Sequence, residues 1–578
     1  MPKSIEPHAR QIDEALAEIT VCDPAVGSGA FPVGMMTEIV RARSALTPYF
    51  DDVHERTPYH FKRHAIQNCL YGVDIDAGAV EIAKLRLWLS LVVDEEDVKQ
   101  IKPLPNLDYK IVAGNSLLGV ERNLFNNDLF IQLETLKPQY FDETDAKKKA
   151  ALKQQIDALI HQLTNGKEIF DFEIYFSEVF HRKGGFDVVI ANPPYVSYGL
   201  RGVQKMSQQE KEFLKRAFPD SAEYKICLYA VFMDKAVQLA RLGGIQTLIV
   251  PDSFLMGRYF SKIRNLILRK NKILELLLLP YGVFEATVGF SVVYMFQRTD
   301  SERGSHKLFA RYVDSKENIG KWTLRSFSYE QGYFKTVNYN RFRLFFDQQT
   351  MSLVTNVNRG GTPLGQIINF SSGLIGKEGK DSIVSSKQLN KYWLPGIISG
   401  GEIRRFVLKP EGNFILYKKD KIHSGYECVD YFEDKLFMRQ TGDSLICAVD
   451  DLHLLCLNNV HVGNLKDKTY SLKYVAAIVN SRLLNYYYRS LALETGRAMA
   501  QTDIETLEDL PIRKASSSEQ QSVINIVDRV LAITRNADYL SNADKKAKVK
   551  ELEHQIDQLV YKLYDLTPEE IAIVEAVS

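Results

Sequence analysis

Asn192-Pro193-Pro194-Tyr195 place one carboxamide, two residues without a backbone N–H and one aromatic ring in four consecutive positions. Paired prolines fix the backbone and remove two donors, and the residue before each is pushed out of helical geometry. A ligand would meet a stiff edge of carbonyl oxygens beside the Asn192 amide and the Tyr195 ring. That set suits a planar group bearing an NH2, such as the edge and face of adenine or cytosine. The plainer reading is a turn that ends a strand. The preceding run Phe186-Asp187-Val188-Val189-Ile190-Ala191 reads as a buried parallel strand by its β-branched content and length, so the tetrad falls at the carboxyl edge of a sheet.

The elements that must position it begin upstream. Ile19-Thr20-Val21-Cys22 leads into Asp23-Pro24-Ala25-Val26-Gly27-Ser28-Gly29-Ala30-Phe31, and Val33, Met36, Ile39 and Val40 then follow helical spacing. Strand, glycine loop and helix form the first unit of a doubly wound nucleotide-binding sheet. The loop lacks the third glycine of the dinucleotide fingerprint and the Lys-Ser/Thr of a phosphate loop, so a phosphate ligand is not expected. Cys69-Leu70-Tyr71-Gly72-Val73 is a second strand ending in Asp74, an acceptor for ribose hydroxyls. Tyr109-Lys110-Ile111-Val112-Ala113 is a third, ending in Gly114-Asn115-Ser116, where Asn115 offers both donor and acceptor to an adenine edge. Asp74 or Asn115 alone is more simply a strand-end cap. Together, three strand ends point to one adenosine-shaped site, with the diproline tetrad on a fourth.

These motifs in this order resemble the gamma class of DNA adenine-N6 methyltransferases, and within it the methylase halves of type IIG restriction–modification proteins and of phage-defence methylases. The similarity rests on Asp23 to Phe31, Gly72-Val73-Asp74, Gly114-Asn115-Ser116-Leu117 and Asn192 to Tyr195, and runs on through Leu228-Tyr229-Ala230-Val231-Phe232 and Gly282-Val283-Phe284. The resemblance implies S-adenosyl-L-methionine as cofactor, held by Asp23, Pro24, Ala25, Gly27, Ser28, Gly29, Phe31, Asp74, Ile75, Asn115 and Ser116. It implies Asn192, Pro193, Pro194, Tyr195 and Phe284 as the catalytic set, and double-stranded DNA as partner. Related methyltransferases acting on protein glutamine share the tetrad, so the tetrad by itself does not fix the substrate class; the large C-terminal domain favours DNA. In the gamma class a further segment before the glycine loop helps to hold the methionine end of the cofactor. The 22 residues before Asp23 contain no clear match, which leaves room for a separate N-terminal or nuclease polypeptide.

The chemistry fits the residue types. A sulfonium-bound methyl is already an electrophile, while the lone pair of an adenine amine is spread into its ring. Asn192 Oδ1 can accept one N6 hydrogen and the Pro193 carbonyl the other, which favours a pyramidal nitrogen aimed at the methyl. Tyr195 would stack on the base, and the resemblance adds Phe284 on its opposite face. The base must be flipped out to reach such a pocket.

The expected fold class is α/β: a doubly wound Rossmann-like methyltransferase domain over residues 1–310, with a helical insertion at about 120–170. Residues 311–345 read as a connector, 346–515 as a mixed α+β target-recognition domain, and 516–578 as C-terminal helices. Leu152, Ile156, Leu159 and Leu163 mark an amphipathic helix in the insertion, read as padding. Gly400-Gly401-Glu402-Ile403-Arg404-Arg405-Phe406 and Arg439-Gln440-Thr441-Gly442 resemble recognition-domain segments. Arg404, Arg405, Arg439 and Gln440 are candidate base readers, though each alone is more simply a phosphate contact or surface ion pair. The triple tyrosine Tyr486-Tyr487-Tyr488 reads as packing. Six scattered cysteines form no CxxC pair, which argues against zinc and for reduced cytoplasmic thiols. No apolar run is long enough to span a bilayer. A net charge of +1 requires basic residues to be segregated onto one face for nucleic-acid binding. Two further readings stay open: a DNA-binding specificity subunit completed by another chain, and a protein or RNA methyltransferase using the same tetrad.

Overall fold

The apolar runs around Cys22, Val73, Val112 and Val189 become neighbouring parallel strands: β1 (Val21–Asp23), β2 (Leu70–Asp74), β3 (Ile111–Ala113) and β4 (Phe186–Ala191). With β5 (Ala240–Pro251) they lie in the order β3-β2-β1-β4-β5. The computed structural model describes residues 3–93, 105–119, 127–167, 169–198, 206–223, 226–280, 282–283, 290–301, 304–313, 315–319, 325–344, 348–442, 444–492, 502–536 and 538–576. The chain divides into two units, Met1–Arg343 and Leu344–Ser578.

In the first unit, α1 (Ala9–Glu18) precedes β1 and α2 (Ala30–Leu46) follows the glycine loop. A short α3 (Pro58–His64) leads to β2, and α4 (Ala77–Val92) follows it. The helical spacing read from Met36, Ile39 and Val40 points those side chains into a core shared with Leu70, Val80, Ala83, Leu87 and Ile111. Each fully buried aliphatic side chain there contributes about 1.5–3 kcal/mol relative to exposure. The insertion folds as α5 (Asn127–Asp142) and α6 (Ala146–Leu163). Its predicted stripe is real: Ile156, Leu159 and Leu163 pack with Leu133, Tyr140 and Tyr109 in a separate small core.

Beyond β5 the strand-like runs 273–279 and 290–296 read as an antiparallel pair closing the sheet edge, and β6 (Asn271–Leu278) and β7 (Ser291–Arg298) do pair antiparallel. They do not close the sheet: β7 lies between β5 and β6, antiparallel to both, and further strands follow β6. The stretch 311–345, expected as a connector, continues the sheet. It supplies the end of β8 (Lys307–Tyr312) and all of β9 (Arg325–Glu330), giving the order β5-β7-β6-β8-β9. Leu308 and Ala310 point inward while Lys307 and Phe309 are exposed, the alternation of a sheet with one wet face. Phe334 and Phe342 are fully buried and complete this half of the unit.

The second unit holds a four-stranded antiparallel sheet in the order Ile368–Ser372, Val460–Leu465, Lys435–Arg439, Cys447–Asp450. A second small sheet is built from Val384–Ser385, Phe414–Leu416, Trp393–Ile397 and Leu455–Cys456. The tail expected as a separate region belongs to the same unit. Helix Ser517–Thr534 packs on Ala543–Leu563, and Val549, Leu552, Ile556 and Val560 are buried. The spacing of Thr567-Pro568-Glu569-Glu570 is that of a capping box, and the box forms: the Thr567 N–H donates to Glu570 and the Glu570 N–H to Thr567 Oγ1. Tyr486, Tyr487 and Tyr488 are buried, as their packing role required.

One ion pair lies wholly inside this unit. Lys435 Nζ is 2.6 Å from the Asp450 carboxylate, and both side chains have 0% exposure. Asp450 also accepts the Leu452 and Leu454 N–H groups. Replacing Lys435 with Ala leaves a buried carboxylate uncompensated and is expected to cost about 3–5 kcal/mol in urea unfolding. A loss below about 1 kcal/mol would show that water or rearrangement compensates the charge.

Candidate active site at the strand ends

β1 pairs in parallel with β2 on one side and β4 on the other, with Cys22 opposite both Tyr71 and Val189. The sheet order therefore reverses at β1/β4, the switch point where ligands bind beyond the carboxyl ends of parallel strands. Four strand ends follow one another in space: Asn115 after β3, Asp74 on β2, the glycine loop after β1 and Asn192 after β4.

A clamp at the opposite end of β1 and β4 holds this register. Both the N–H and the hydroxyl of Thr20 donate to Asp187 Oδ2 at 2.9 Å, and the Val188 N–H donates to the Thr20 carbonyl. Lys183 and Arg241 also donate to the Asp187 carboxylate, at 2.6 and 2.5 Å. Burial alone would push this carboxyl up, but Lys183, Arg241 and Thr20 hold it down to about 2. Asp187 was not among the candidate residues. A charged side chain opening an otherwise apolar strand was the available signal.

The glycine loop is fastened from below. Val26 and Gly72 belong to touching elements: a Cβ on Gly72 would come 2.8 Å from Val26 Cγ2. The Gly27 N–H donates to Asp74 Oδ2 at 2.8 Å and the Asp76 N–H to Asp74 Oδ1 at 2.9 Å. Gly29 has φ +81° and packs on α4, so that a Cβ there would lie 2.9 Å from Ala83 Cβ. At Gly27, with φ +49°, an added Cβ would meet nothing within 4 Å. The loop thus presents open backbone at Gly27 and tight packing at Gly29. Arg86 on α4 donates to the Ser28 carbonyl and hydroxyl. The buried Ser116 hydroxyl donates to the Pro24 carbonyl at 2.6 Å, tying the third strand end to the first. Ala25 and Phe31 are half-buried, and Ile75 at the end of β2 is 75% exposed, an apolar side chain facing outward beside Asp74.

Asn115 spends one interaction locally, its Oδ1 accepting the Leu117 N–H at 3.0 Å. Asp76, not singled out from sequence, caps α4 through the Gly78 N–H. Asn192 is exposed, and among the described residues no group hydrogen-bonds its amide. Pro193 is buried and Pro194 exposed. Tyr195 is oriented from two sides: its hydroxyl donates to the Ile249 carbonyl on β5 at 3.1 Å, and its ring meets the edge of Tyr229 at 6.4 Å. Tyr229 is itself stacked on Phe260 and shares a hydrogen bond with Ser253. Burial pushes the Tyr195 phenol up to about 12, so it remains neutral. Phe284 lies outside the described residues.

In the second unit, Arg404 is exposed, and Arg439 Nε donates to the Ile403 carbonyl at 2.7 Å. Burial and the nearby Arg404 charge both lower the Arg439 guanidinium from its ordinary value, so these two arginines lie close together. Gln440 is half-buried, its carbonyl accepting the Thr502 N–H. Arg405 is within electrostatic reach of Glu553 and Asp557 on the Ala543–Leu563 helix.

Residues 68–284 match the Eco57I restriction-modification methylase family, and residues 396–512 match the TaqI-like C-terminal specificity domain. The two matches follow one another along the chain, the methylase-like one first and the specificity-like one second. It is 26% identical, over 97% of its length, to RM.MjaORFECS2P, a provisional type II restriction enzyme and methyltransferase of Methanocaldococcus jannaschii, of which it covers 53%. It is 24% identical, over 69% of its length, to the type II restriction enzyme and methyltransferase RM.Eco57I of Escherichia coli, of which it covers 34%. The chain thus spans about half or less of these curated relatives. Among solved structures it is similar in fold to the type IIL restriction-modification enzyme MmeI, solved in complex with DNA. The TM-score is 0.57 at 12% identity, with 98% of this chain and 73% of that one covered. Among the described residues no helix is long and apolar enough to cross a membrane, and no cluster of His, Cys, Asp or Glu could hold a metal ion.

Asp23 is 2% exposed, and its Oδ1 accepts the Ala25 N–H at 2.9 Å. Burial raises its carboxyl to about 8, with the Ala25 N–H opposing and the Asp74 charge adding. In the unfolded chain it ionises in the usual carboxylate range. Between that range and about pH 8 the folded protein holds one more proton than the unfolded chain, so stability falls as pH rises through this window. Asp23→Asn, which cannot ionise, is expected to flatten the decline in Tm measured on cofactor-free protein. Parallel Tm–pH curves for the two proteins would refute the assignment.

Proposed function

We propose that this protein transfers a methyl group from S-adenosyl-L-methionine to the N6 amine of a specific, flipped-out adenine in double-stranded DNA, as part of a restriction–modification or phage-defence system. The observation that carries the reading is the direct parallel pairing of β1 with β4, which sets the glycine loop and Asn192-Pro193-Pro194-Tyr195 side by side at the switch point.

The residues present fit the cofactor. Gly27 offers backbone that a ligand can approach, and Asp74 keeps acceptor capacity after its two backbone bonds, suited to ribose hydroxyls. The exposed Ile75 can lie against a purine face, and Asn115 keeps its NH2 for the ring edge. The acidic Asp74 on the floor, with Asp76 beside it, favours a cation over an anion, as a sulfonium with an ammonium-bearing tail requires. When bound, the cofactor supplies an electrophilic methyl carbon.

The chain's own residues do the rest. Asn192 Oδ1 and the Pro193 carbonyl accept the two N6 hydrogens and draw the amine lone pair out of conjugation. The neutral, oriented Tyr195 ring stacks on the extruded base, returning about 1–3 kcal/mol toward unstacking. The site needs no strong base, because the nitrogen sheds its proton after it has gained the methyl and become acidic. The TaqI-like specificity domain supports DNA over protein or RNA as substrate, and Arg404 with Arg439 is the pair best placed to read bases or phosphates there.

Methyl transfer from labelled cofactor to plasmid DNA tests the reading. Asn192→Ala is expected to lower the rate by about a hundredfold or more while cofactor binding persists. Absence of label on any DNA, with cofactor demonstrably bound, would favour a specificity subunit or a different acceptor. Arg439→Ala is expected to relax or abolish sequence preference, mapped by long-read sequencing of DNA from expressing cells, with cofactor affinity unchanged. An unaltered methylated motif would remove Arg439 from the recognition surface.

A further inference from the structure

A large cavity lies at the other edge of the same sheet. It encloses about 910 Å³ where β1, β2 and β3 begin, with walls from α1, α5 and the helix Ser177–Lys183. That volume is in the range of sites for organic ligands rather than single ions. The methylase reading makes no use of it. The insertion read from sequence as padding supplies one side of it, through Glu134, Lys137 and Tyr140 on α5.

The interior carries an unbalanced charge. Lys110, immediately before β3, and Lys137, on α5, both face one carboxylate, Glu178, at 3.5 and 3.0 Å. Lys110 also donates to the Tyr71 hydroxyl at 2.8 Å, with its ammonium 3.9 Å from that ring's centroid, and Lys137 donates to the Tyr175 carbonyl. Despite burial, Lys137 and Lys110 hold Glu178 down to about 2, so it is ionised. Burial, with Lys137 repelling, pulls Lys110 down to about 8. Two ammonium groups share one carboxylate in a half-enclosed space, and a second anion there would relieve both repulsion and desolvation. Arg182 adds a third cation at the exposed end of the cavity. The other acidic linings are elsewhere occupied or at the rim: Glu134 is paired with His181 at 2.7 Å, and Glu14 and Glu18 are exposed. Tyr71 and Tyr109 also line the cavity, both of them buried.

We propose that this cavity binds an organic anion of about nucleotide size, its phosphate or carboxylate seated on Lys110, Lys137 and Arg182. The site lies at the amino ends of the strands whose carboxyl ends form the candidate active site, so its occupancy is independent of the cofactor loop. Calorimetric titration of the full chain with AMP, 4-hydroxyphenylacetate, inorganic phosphate and adenosine tests it, with and without saturating S-adenosylmethionine. One AMP or arylcarboxylate site that survives saturation is expected, with phosphate weaker and adenosine silent; which organic anion binds identifies the headgroup. Arg182→Ala, at an exposed position, should weaken binding about threefold or more, and Lys137→Met, checked for folding by circular dichroism, about tenfold or more. No heat from either organic anion, binding displaced by S-adenosylmethionine, phosphate as tight as the organic anions, or unchanged affinity in Arg182→Ala would each overturn the proposal.

Discussion

Thr20 and Asp187 join β1 to β4 through two hydrogen bonds to one carboxylate oxygen, reinforced by Lys183 and Arg241. Everything at the far end of those strands depends on this junction. A parallel pair has even spacing along its length, so a register fixed at Thr20 and Val188 is transmitted to Asp23 and Ala191. A slip of one residue would turn every strand side chain to the opposite face and carry Asn192 away from the glycine loop. The clamp is an ionised carboxylate in a half-buried setting, and its cost is offset by two cations and by the N–H and O–H donors of Thr20 rather than by one ideal pair.

The loop that this register serves is a compromise between packing and access. Gly29 is needed because α4 comes too close for any side chain, while Gly27 faces open space with a backbone that only glycine adopts easily. Asp74 binds the loop through Gly27 and its own turn through Asp76, so a single carboxylate shapes the cleft and remains an acceptor within it. Ser116 closes the circle by fastening Pro24. Against that firm floor the Asn192 amide carries no hydrogen bond among the described residues, whereas Tyr195 beside it is held from two directions. Rigid aromatic and free amide are the division of labour expected where one group must stack and the other must exchange partners with a substrate.

The two edges of the sheet carry different charged groups. Asp74 and Asp76 lie at the carboxyl end of β2, and Lys110, Lys137 and Glu178 form a cluster at the amino ends. The insertion makes the second edge a cavity rather than a surface, because α5 and α6 bury their own core against Tyr109 and Ile174 and carry Lys137 inward.

The first four strands and the loops that end them were legible in the chain itself, because apolar β-branched runs ending in Gly, Asp or Asn leave few alternatives once helices separate them. The glycine loop, the strand-end acidic residues, the diproline tetrad, the insertion stripe and the final capping box are all local patterns, and local patterns survive in sequence. Other features did not. The placement of β7 between β5 and β6, and the recruitment of residues 311–345 into the sheet, depend on pairing between distant segments, which short alternating strands of mixed polarity do not announce. The Asp187 clamp and the Lys110–Glu178–Lys137 cluster join residues far apart in the chain, whose significance lies in shared burial rather than spacing. Arg405 looked equivalent to Arg404 as a neighbour in sequence; in the folded second unit Arg404 ends a short strand near Arg439, while Arg405 begins the turn after it, within electrostatic reach of Glu553 and Asp557.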